Sequence, residues 1–397
     1  MKILMAHNYY REAGGEDESF RAESELLRER GNTVALYTRD NHEIQESGLL
    51  QRFQLARRTV WADDTLRELA ALLSIEKPDV VHFQNTFPLI SPSAYQACKE
   101  AGIPVVQSLR NYRLLCPNAL FFRDGHPCED CLGKTIPWPG VYHACYRDSR
   151  IQTTAVATML SYHRLLKTWQ NKVETYIALT EFSRQKYIQG GLPPERIFVK
   201  PNFVRDLGIS EEHEDYVVFV GRLSKEKGLL TLLSAWRNLR NIPLRIIGTG
   251  PLENVLASQI KDGNLHHIEI SGFLPNREAV EYIKRARLLV FPTEWYETFG
   301  RVVIEAFSAG VPVVSSHIGA VAELVHDGIT GLHFNPGDAT ELAAKVDWLW
   351  NHPEICADMG RNARKDFEEK YTPERNYEIL LDIYDRTMRQ AKANDFH

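Results

Sequence analysis

Two rhythms of apolar residues alternate along the chain. KILMAHNYY (2–10) is a short apolar strand, REAGGED a loop, ESFRAESELLRERG a helical stretch closed by a glycine, and TVALYT a second strand. The unit recurs through DVVHFQ, SAYQACKEAG, IPVVQSL, ETYIALT and RIFVKPN, which predicts a parallel sheet covered by helices. After the polar stretch KPNFVRDLGISEEHED the pattern restarts: YVVFVGRLS, LRIIGTG, LLVFPTE and VPVVSS are strands, and GLLTLLSAWRNL and EAVEYIKRAR are helices. A linker is expected near 203–215, and ERNYEILLDIYDRTMRQAKA closes the chain as a long amphipathic helix able to reach back over the first domain.

Length agrees with this division. The 397 residues suit two domains of roughly 150 to 200 residues each. A net charge of -5, with 44% hydrophobic and 25% charged residues, excludes any global attraction to nucleic acid, so a basic site must be local. The opening apolar run is too short for a signal peptide and no 18 apolar residues run together, so a cytoplasmic protein is expected. Six cysteines in so long a chain do not suggest a disulfide framework.

In such sheets ligands sit beyond the carboxyl ends of the strands, and three loops there carry candidate chemistry. In FPTEWYETFGRVVIEAFSAGVPVV (291–314), Thr298 is the expected N-cap of a helix that stops at Gly310 to Pro312. Its first-turn amides would face the strand ends and attract an anion such as phosphate. Glu305 could then reach a ribose hydroxyl pair and Glu297 a sugar hydroxyl; a dipole-complementing Glu297 and a solvated Glu305 are the plainer reading. GRLSKEKG (221–228) offers Arg222 and Lys227, two cations able to neutralise a diphosphate without a metal, or merely a solvated basic turn. REAGGEDE places Gly14 and Gly15 where a backbone can approach a ligand closely, although turns use such pairs routinely.

Together, ETFGRVVIE, GRLSKEKG, the early GGED, IGTGPLE and GAVAELVHDGITGLHFNPGD resemble, in order and separation, the GT4 family of retaining, nucleotide-sugar-dependent glycosyltransferases. The middle segments VVHFQNTFPLISPSAY and NYRLLCPNALFFRDGHPCEDCLG resemble a bacterial subgroup that builds cell-surface polysaccharides. The resemblance implies an α/β fold of the GT-B type, two Rossmann-like doubly wound parallel-sheet domains facing a central cleft. Residues 1–203 would form the acceptor-binding domain with a cysteine-rich insertion at 116–145, residues 204–375 the nucleotide-sugar domain, and residues 376–397 a helix crossing back. It further implies that Arg222 and Lys227 hold the donor diphosphate and that Glu305 binds the ribose. Glu297, with the backbone at Phe299 and Gly300, would hold the transferred sugar, the amides of Arg301 and Val302 the distal phosphate, and Phe273 would lie nearest the base. Gly15 would let the first domain close on the phosphates. The chain departs from the family's usual pattern at Arg110, where many relatives have histidine, and at Thr298, where glycine is usual. Arg110, with Asn111 beside it, would face the acceptor or the donor sugar, or form a structural ion pair.

No aspartate-x-aspartate metal motif occurs in the chain, so the implied chemistry needs no cofactor. The implied partners are a nucleotide-diphosphate sugar and a glycan or lipid-linked acceptor, with no nucleic acid. Cys116, Cys128, Cys131 and Cys145 form C-x11-C-x2-C-x13-C, open to a structural zinc, to unbound thiols lining an acceptor loop, or to a redox pair. LLQRFQLARRTVW (49–61) could rest peripherally on the inner face of a membrane or pack on its own domain, whereas the apolar stripe of AVATMLSYHRLLKTW (155–169) is expected to be core or interdomain packing. His82 is expected to be a satisfied buried histidine rather than a cleft residue. The rival readings are a dinucleotide-dependent oxidoreductase, weakened because Glu253 stands where IIGTGPLE needs a third glycine, an epimerase or phosphorylase of the same fold, and a zinc-bearing binding protein without turnover.

Overall fold

The computed structural model describes residues 1–12, 14–44, 48–210 and 214–394. The middle of the expected linker, 211–213, lies outside them. The chain forms two compact units, one of Met1–Phe121, Glu129–Lys200 and the segment from Asn376 onward, the other of Phe122–Cys128 and Pro201–Arg375.

The strands in chain order are β1 (Lys2–Tyr9), β2 (Thr33–Asp40), β3 (Val80–Asn85), β4 (Val105–Leu109), β5 (Phe122–Arg123), β6 (His126–Pro127), β7 (Thr175–Ala178), β8 (Ile197–Val199), β9 (Val217–Val220), β10 (Leu244–Ile247), β11 (Ile268–Gly272), β12 (Leu288–Phe291), β13 (Val313–Ser316) and β14 (Gly331–Phe334). The helices are α1 (Gly15–Glu29), α2 (Leu49–Val60), α3 (Asp63–Glu76), α4 (Ser93–Glu100), α5 (Trp138–Tyr142), α6 (Arg150–Leu165), α7 (Thr168–Lys172), α8 (Glu181–Gln189), α9 (Leu229–Trp236), α10 (Glu253–Asp262), α11 (Asn276–Arg285), α12 (Arg301–Ser308), α13 (Gly319–Leu324), α14 (Ala339–Trp350), α15 (Pro353–Lys370) and α16 (Pro373–Asn394).

The first unit holds a six-stranded sheet in the order β2-β1-β3-β4-β7-β8, parallel throughout. The inner strands β1, β3, β4 and β7 are buried on both faces, which is why they read as near-continuous apolar runs, whereas the edge strand β2 is largely exposed or half-buried. Ile3, Met5, Val80, Val106 and Ile177 pack against Phe20 and Leu27 of α1 and against Leu380, Ile383 and Tyr384 of α16, so the last helix completes the core of the first unit. The short hairpin of β5 and β6 lies in the cysteine-rich segment.

The second unit holds a parallel sheet in the order β11-β10-β9-β12-β13-β14. Its first strand, β9, is central, so successive connections run one way through β10 and β11 and then the other way from β12. The order reverses between β9 and β12, the place beyond whose carboxyl ends such sheets bind ligands. The loops leaving β9 and β12 contain GRLSKEKG and PTEWYETFG. Among the described residues no helix is long and apolar enough to cross a membrane.

Candidate functional site

A glycine brings these two loops together. Gly228, at φ +68, lies so close to the second loop that a β carbon there would stand 1.8 Å from the Pro292 carbonyl oxygen. The Glu294 amide donates to the Glu226 carbonyl at 2.9 Å, stitching the loops through their backbones. Lys227, one residue before the glycine, thereby reaches Glu297: its Nζ donates to Oε1 at 2.5 Å. The same carboxylate oxygen accepts from the Trp295 indole at 2.9 Å, and the Thr293 hydroxyl lies 3.4 Å away. Lys227 also sits over the Trp295 ring, 5.4 Å from its centre. Glu297 is 7% exposed and the Lys227 side chain 19%, so the pair is sheltered yet reachable. Behind it, Thr231 donates to Glu294 at 2.5 Å, and burial pushes the Glu294 carboxyl above its ordinary pKa.

The helix that follows begins two residues later than expected. Gly300, at φ +114, is the N-cap of α12 in place of Thr298, because the chain turns into the helix through a left-handed conformation that threonine resists. The amides without an intrahelical acceptor are therefore those of Arg301 and Val302, while the Val303 amide closes onto the Gly300 carbonyl at 3.0 Å. Helical side chains lean toward the amino terminus, and Glu305 does so: its Oε1 accepts from Arg301 Nε at 3.1 Å and from Asn276, the first residue of α11, at 3.4 Å. Glu305 is 6% exposed, so it is no solvated surface acid. The Phe299 ring is buried, 6.1 Å from that of Tyr371, which leaves only its backbone for a ligand. Phe273, just past β11, is 72% exposed, and Arg222 is exposed. Trp295 and Asn276 were not singled out by the sequence; Trp295 stands two residues before Glu297, and only its distance to the carboxylate reveals it.

In the first unit, Gly15 opens α1, and a β carbon there would meet nothing within 4 Å. Asn111, after β4, donates to Glu16 at 3.1 Å and lies 3.3 Å from the Tyr10 hydroxyl, joining the ends of β4 and β1. Burial raises the Glu16 carboxyl above its ordinary pKa, against the Asn111 hydrogen bond.

Arg110 is different. It is 5% exposed, its Nε donates to Gln84, and its Nη2 lies 3.8 Å from Glu23. Glu23 accepts from Lys200 at 2.6 Å and from Gln84 at 2.6 Å, and Lys200 donates to Asn376 of α16 at 3.1 Å. Burial alone would raise the Glu23 carboxyl, but Lys200, with His82 and Arg110, holds it down to about 2. His82 is fully buried between the Tyr384 hydroxyl at 2.7 Å and Ser108 at 2.8 Å, and burial lowers its pKa to about 3. Of the readings for Arg110, this geometry supports the structural ion pair.

The four cysteines assemble no metal centre: among the described residues, no group of three or more His, Cys, Asp or Glu side chains is arranged to hold an ion. Cys116 and Cys131 are buried beside Arg164, while Cys128 and Cys145 are half-buried. The IGTG loop after β10 is likewise no dinucleotide cradle. It is bonded to the GRLSKEKG loop after β9, with the Leu223 amide donating to the Thr249 carbonyl at 2.8 Å and the Leu252 amide to the Leu223 carbonyl at 2.9 Å.

Two parallel doubly wound six-stranded sheets are the architecture of the GT-B fold, and the second carries a basic loop, two sheltered acids and an open helix end at its switch point. The chain matches the Glycosyl transferase 4-like domain over residues 14–202 and the Glycosyl transferases group 1 family over residues 202–366, and it is a glycosyltransferase. It is 25% identical to an uncharacterized glycosyltransferase of Methanocaldococcus jannaschii, over 81% of this chain and 78% of that protein. It is also 25% identical to the O-antigen chain mannosyltransferase C of Escherichia coli, over 66% of this chain and 77% of that one. Among solved structures, Anabaena HepE in complex with UDP and glucose shares the fold with a TM-score of 0.69 at 18% identity, over 96% of this chain and 98% of that one.

Proposed function

We propose that the chain is a retaining, metal-independent transferase of the GT4 type. It moves a sugar from a nucleotide diphosphate to a hydroxyl of a glycan or lipid-linked acceptor in the assembly of bacterial surface polysaccharide. The observation that carries this reading is the Lys227 and Glu297 pair set beside the open end of α12 at the β9/β12 switch point. The mannosyltransferase relative, named for O-antigen chains, favours the polysaccharide role.

The roles follow from charge. Breaking the bond between the anomeric carbon and the diphosphate leaves negative charge on the phosphate oxygen and positive charge on the sugar ring. Lys227 and Arg222, with the amides of Arg301 and Val302, stabilise the developing phosphate charge more than the ground state, which is the condition for catalysis. Glu297 fixes the sugar through its hydroxyls and orients the Lys227 ammonium. Glu305 takes the ribose, held at the right height by Arg301 and Asn276. The acceptor hydroxyl attacks the anomeric carbon from the face the phosphate leaves, and its proton passes to the departing phosphate oxygen.

A donor screen read by release of free nucleotide tests the activity. One sugar nucleotide should turn over in the presence of chelator, with the anomeric configuration of the donor kept in the product by NMR. Turnover abolished by chelator and restored by magnesium would remove metal independence, and an inverted product would remove the retaining course. Epimerised or phosphorolysed product in place of a new glycoside would assign the site to the rival chemistries of this fold.

A further inference from the structure

The apolar stripe of α6 has a second side. One face buries Thr153, Val156, Leu160 and His163, in line with the expectation of core packing. The opposite face, at Ile151, Ala155, Thr158, Tyr162 and Leu165, follows helical spacing, and Ile151 is 85% and Leu165 69% exposed. The segment leading into and through α5 runs antiparallel beside it: Arg164 donates to the Lys134 carbonyl at one end, and Arg150 lies 6.0 Å from the Tyr142 ring at the other. That segment exposes Ile136, Trp138 and Tyr142, each by more than half. Of the 17 large hydrophobic side chains exposed among the described residues, seven fall between Ile136 and Leu166, so they form a concentrated surface and no random scatter.

Charge identifies what covers it. Residues 132–172 hold six Lys or Arg and one acid, Asp148, within a chain whose net charge is -5. Lys134, Arg147, Arg150 and Lys167 are exposed. The arginines of α2 differ: Arg57 and Arg58 pair with Asp63 and Asp64 at 2.8 and 2.6 Å, which leaves that helix less suited to the role the sequence suggested for it. Exposed aromatics and aliphatic side chains flanked by exposed cations are the complement of an anionic lipid bilayer, with the apolar groups entering the acyl boundary and the cations meeting headgroup phosphates.

We propose that the face formed by residues 134–142 and the outer side of α6 docks peripherally on an anionic membrane. The proposal gives physical sense to a lipid-linked acceptor, but vesicle binding is measured without donor or acceptor, so its failure would leave the transferase reading standing. The full chain should cosediment with phosphatidylcholine vesicles containing about a third phosphatidylglycerol at least tenfold more tightly than with phosphatidylcholine alone, and lose that advantage in high salt. Trp138→Ser with Ile151→Glu and Leu165→Glu should reduce binding at least tenfold. So, independently, should Lys134→Glu with Arg150→Glu and Lys167→Glu, both variants keeping the parent melting temperature because the altered side chains are exposed. Equal binding to neutral and anionic vesicles, or unchanged binding by either variant, would overturn the proposal. So would self-association abolished by the same substitutions in a chain that ignores vesicles, which would make the face a contact between copies.

Discussion

Each unit contains a lysine donating to a glutamate at the carboxyl ends of its strands, at 2.6 Å in one and 2.5 Å in the other. Lys200 and Glu23 are each 1% exposed, and their remaining polar atoms are engaged by Gln84, Arg110 and Asn376. Lys227 and Glu297 are partly open, and an ammonium has two further donor positions beyond the one given to Glu297. Distance does not separate the enclosed pair from the one proposed for catalysis; what separates them is how far each is enclosed and how much of its hydrogen-bonding capacity is used up inside the protein.

That contrast is open to measurement. The largest effect is expected in the first unit, where Lys200→Met strands the Glu23 carboxylate and should lower unfolding stability by about 3 to 5 kcal/mol. Urea denaturation reads it, and Glu23→Leu added to Lys200→Met should recover much of the loss. Next comes Lys227→Ala, which should cost about 100- to 1000-fold in turnover with the melting temperature nearly unchanged; unaltered turnover would remove Lys227 from the site. Trp295→Phe keeps the ring but loses the indole hydrogen bond to Glu297. It should reduce turnover by about five- to thirtyfold, the equivalent of about 1 to 2 kcal/mol, with less effect on the apparent donor affinity.

The remaining test is a slope. His82 is neutral in the fold down to about pH 3, whereas in the unfolded chain it takes up a proton near its ordinary 6.5. The stability tied to neutral His82 is therefore complete above pH 6.5 and is lost as the pH falls toward 3, at no more than about 1.4 kcal/mol per pH unit. Glu23, held down to about 2, acts in the same direction at lower pH, its contribution lost as the pH falls from the ordinary carboxylate range. His82→Gln should flatten unfolding stability between pH 6.5 and about 4.5, measured by denaturant titration at each pH. A slope unchanged by the substitution would mean that His82 is protonated in the fold.

The strands and most helices were legible in the sequence because a doubly buried strand must be apolar throughout and an amphipathic helix repeats on its own period. VVFV, LRII, LLVF and VVSS form β9, β10, β12 and β13, and the helix over 374–393 is α16. The start of α12 was misplaced by two residues, since Thr298 has the better capping side chain and only the backbone path shows that Gly300 takes that position.

The sequence alone determined the doubly wound architecture and the identity of the groups at the second sheet's strand ends, because hydrophobic period and short motifs are local properties of the chain. Tertiary structure decided what each charge does. Gly228 had to seat one loop on another before Lys227 could meet Glu297, and α1, β3, β4 and α16 had to converge before Arg110, Lys200 and His82 were enclosed. Burial and partnership arise among residues hundreds of positions apart, such as His82 and Tyr384, separated by 302, and no local pattern encodes them.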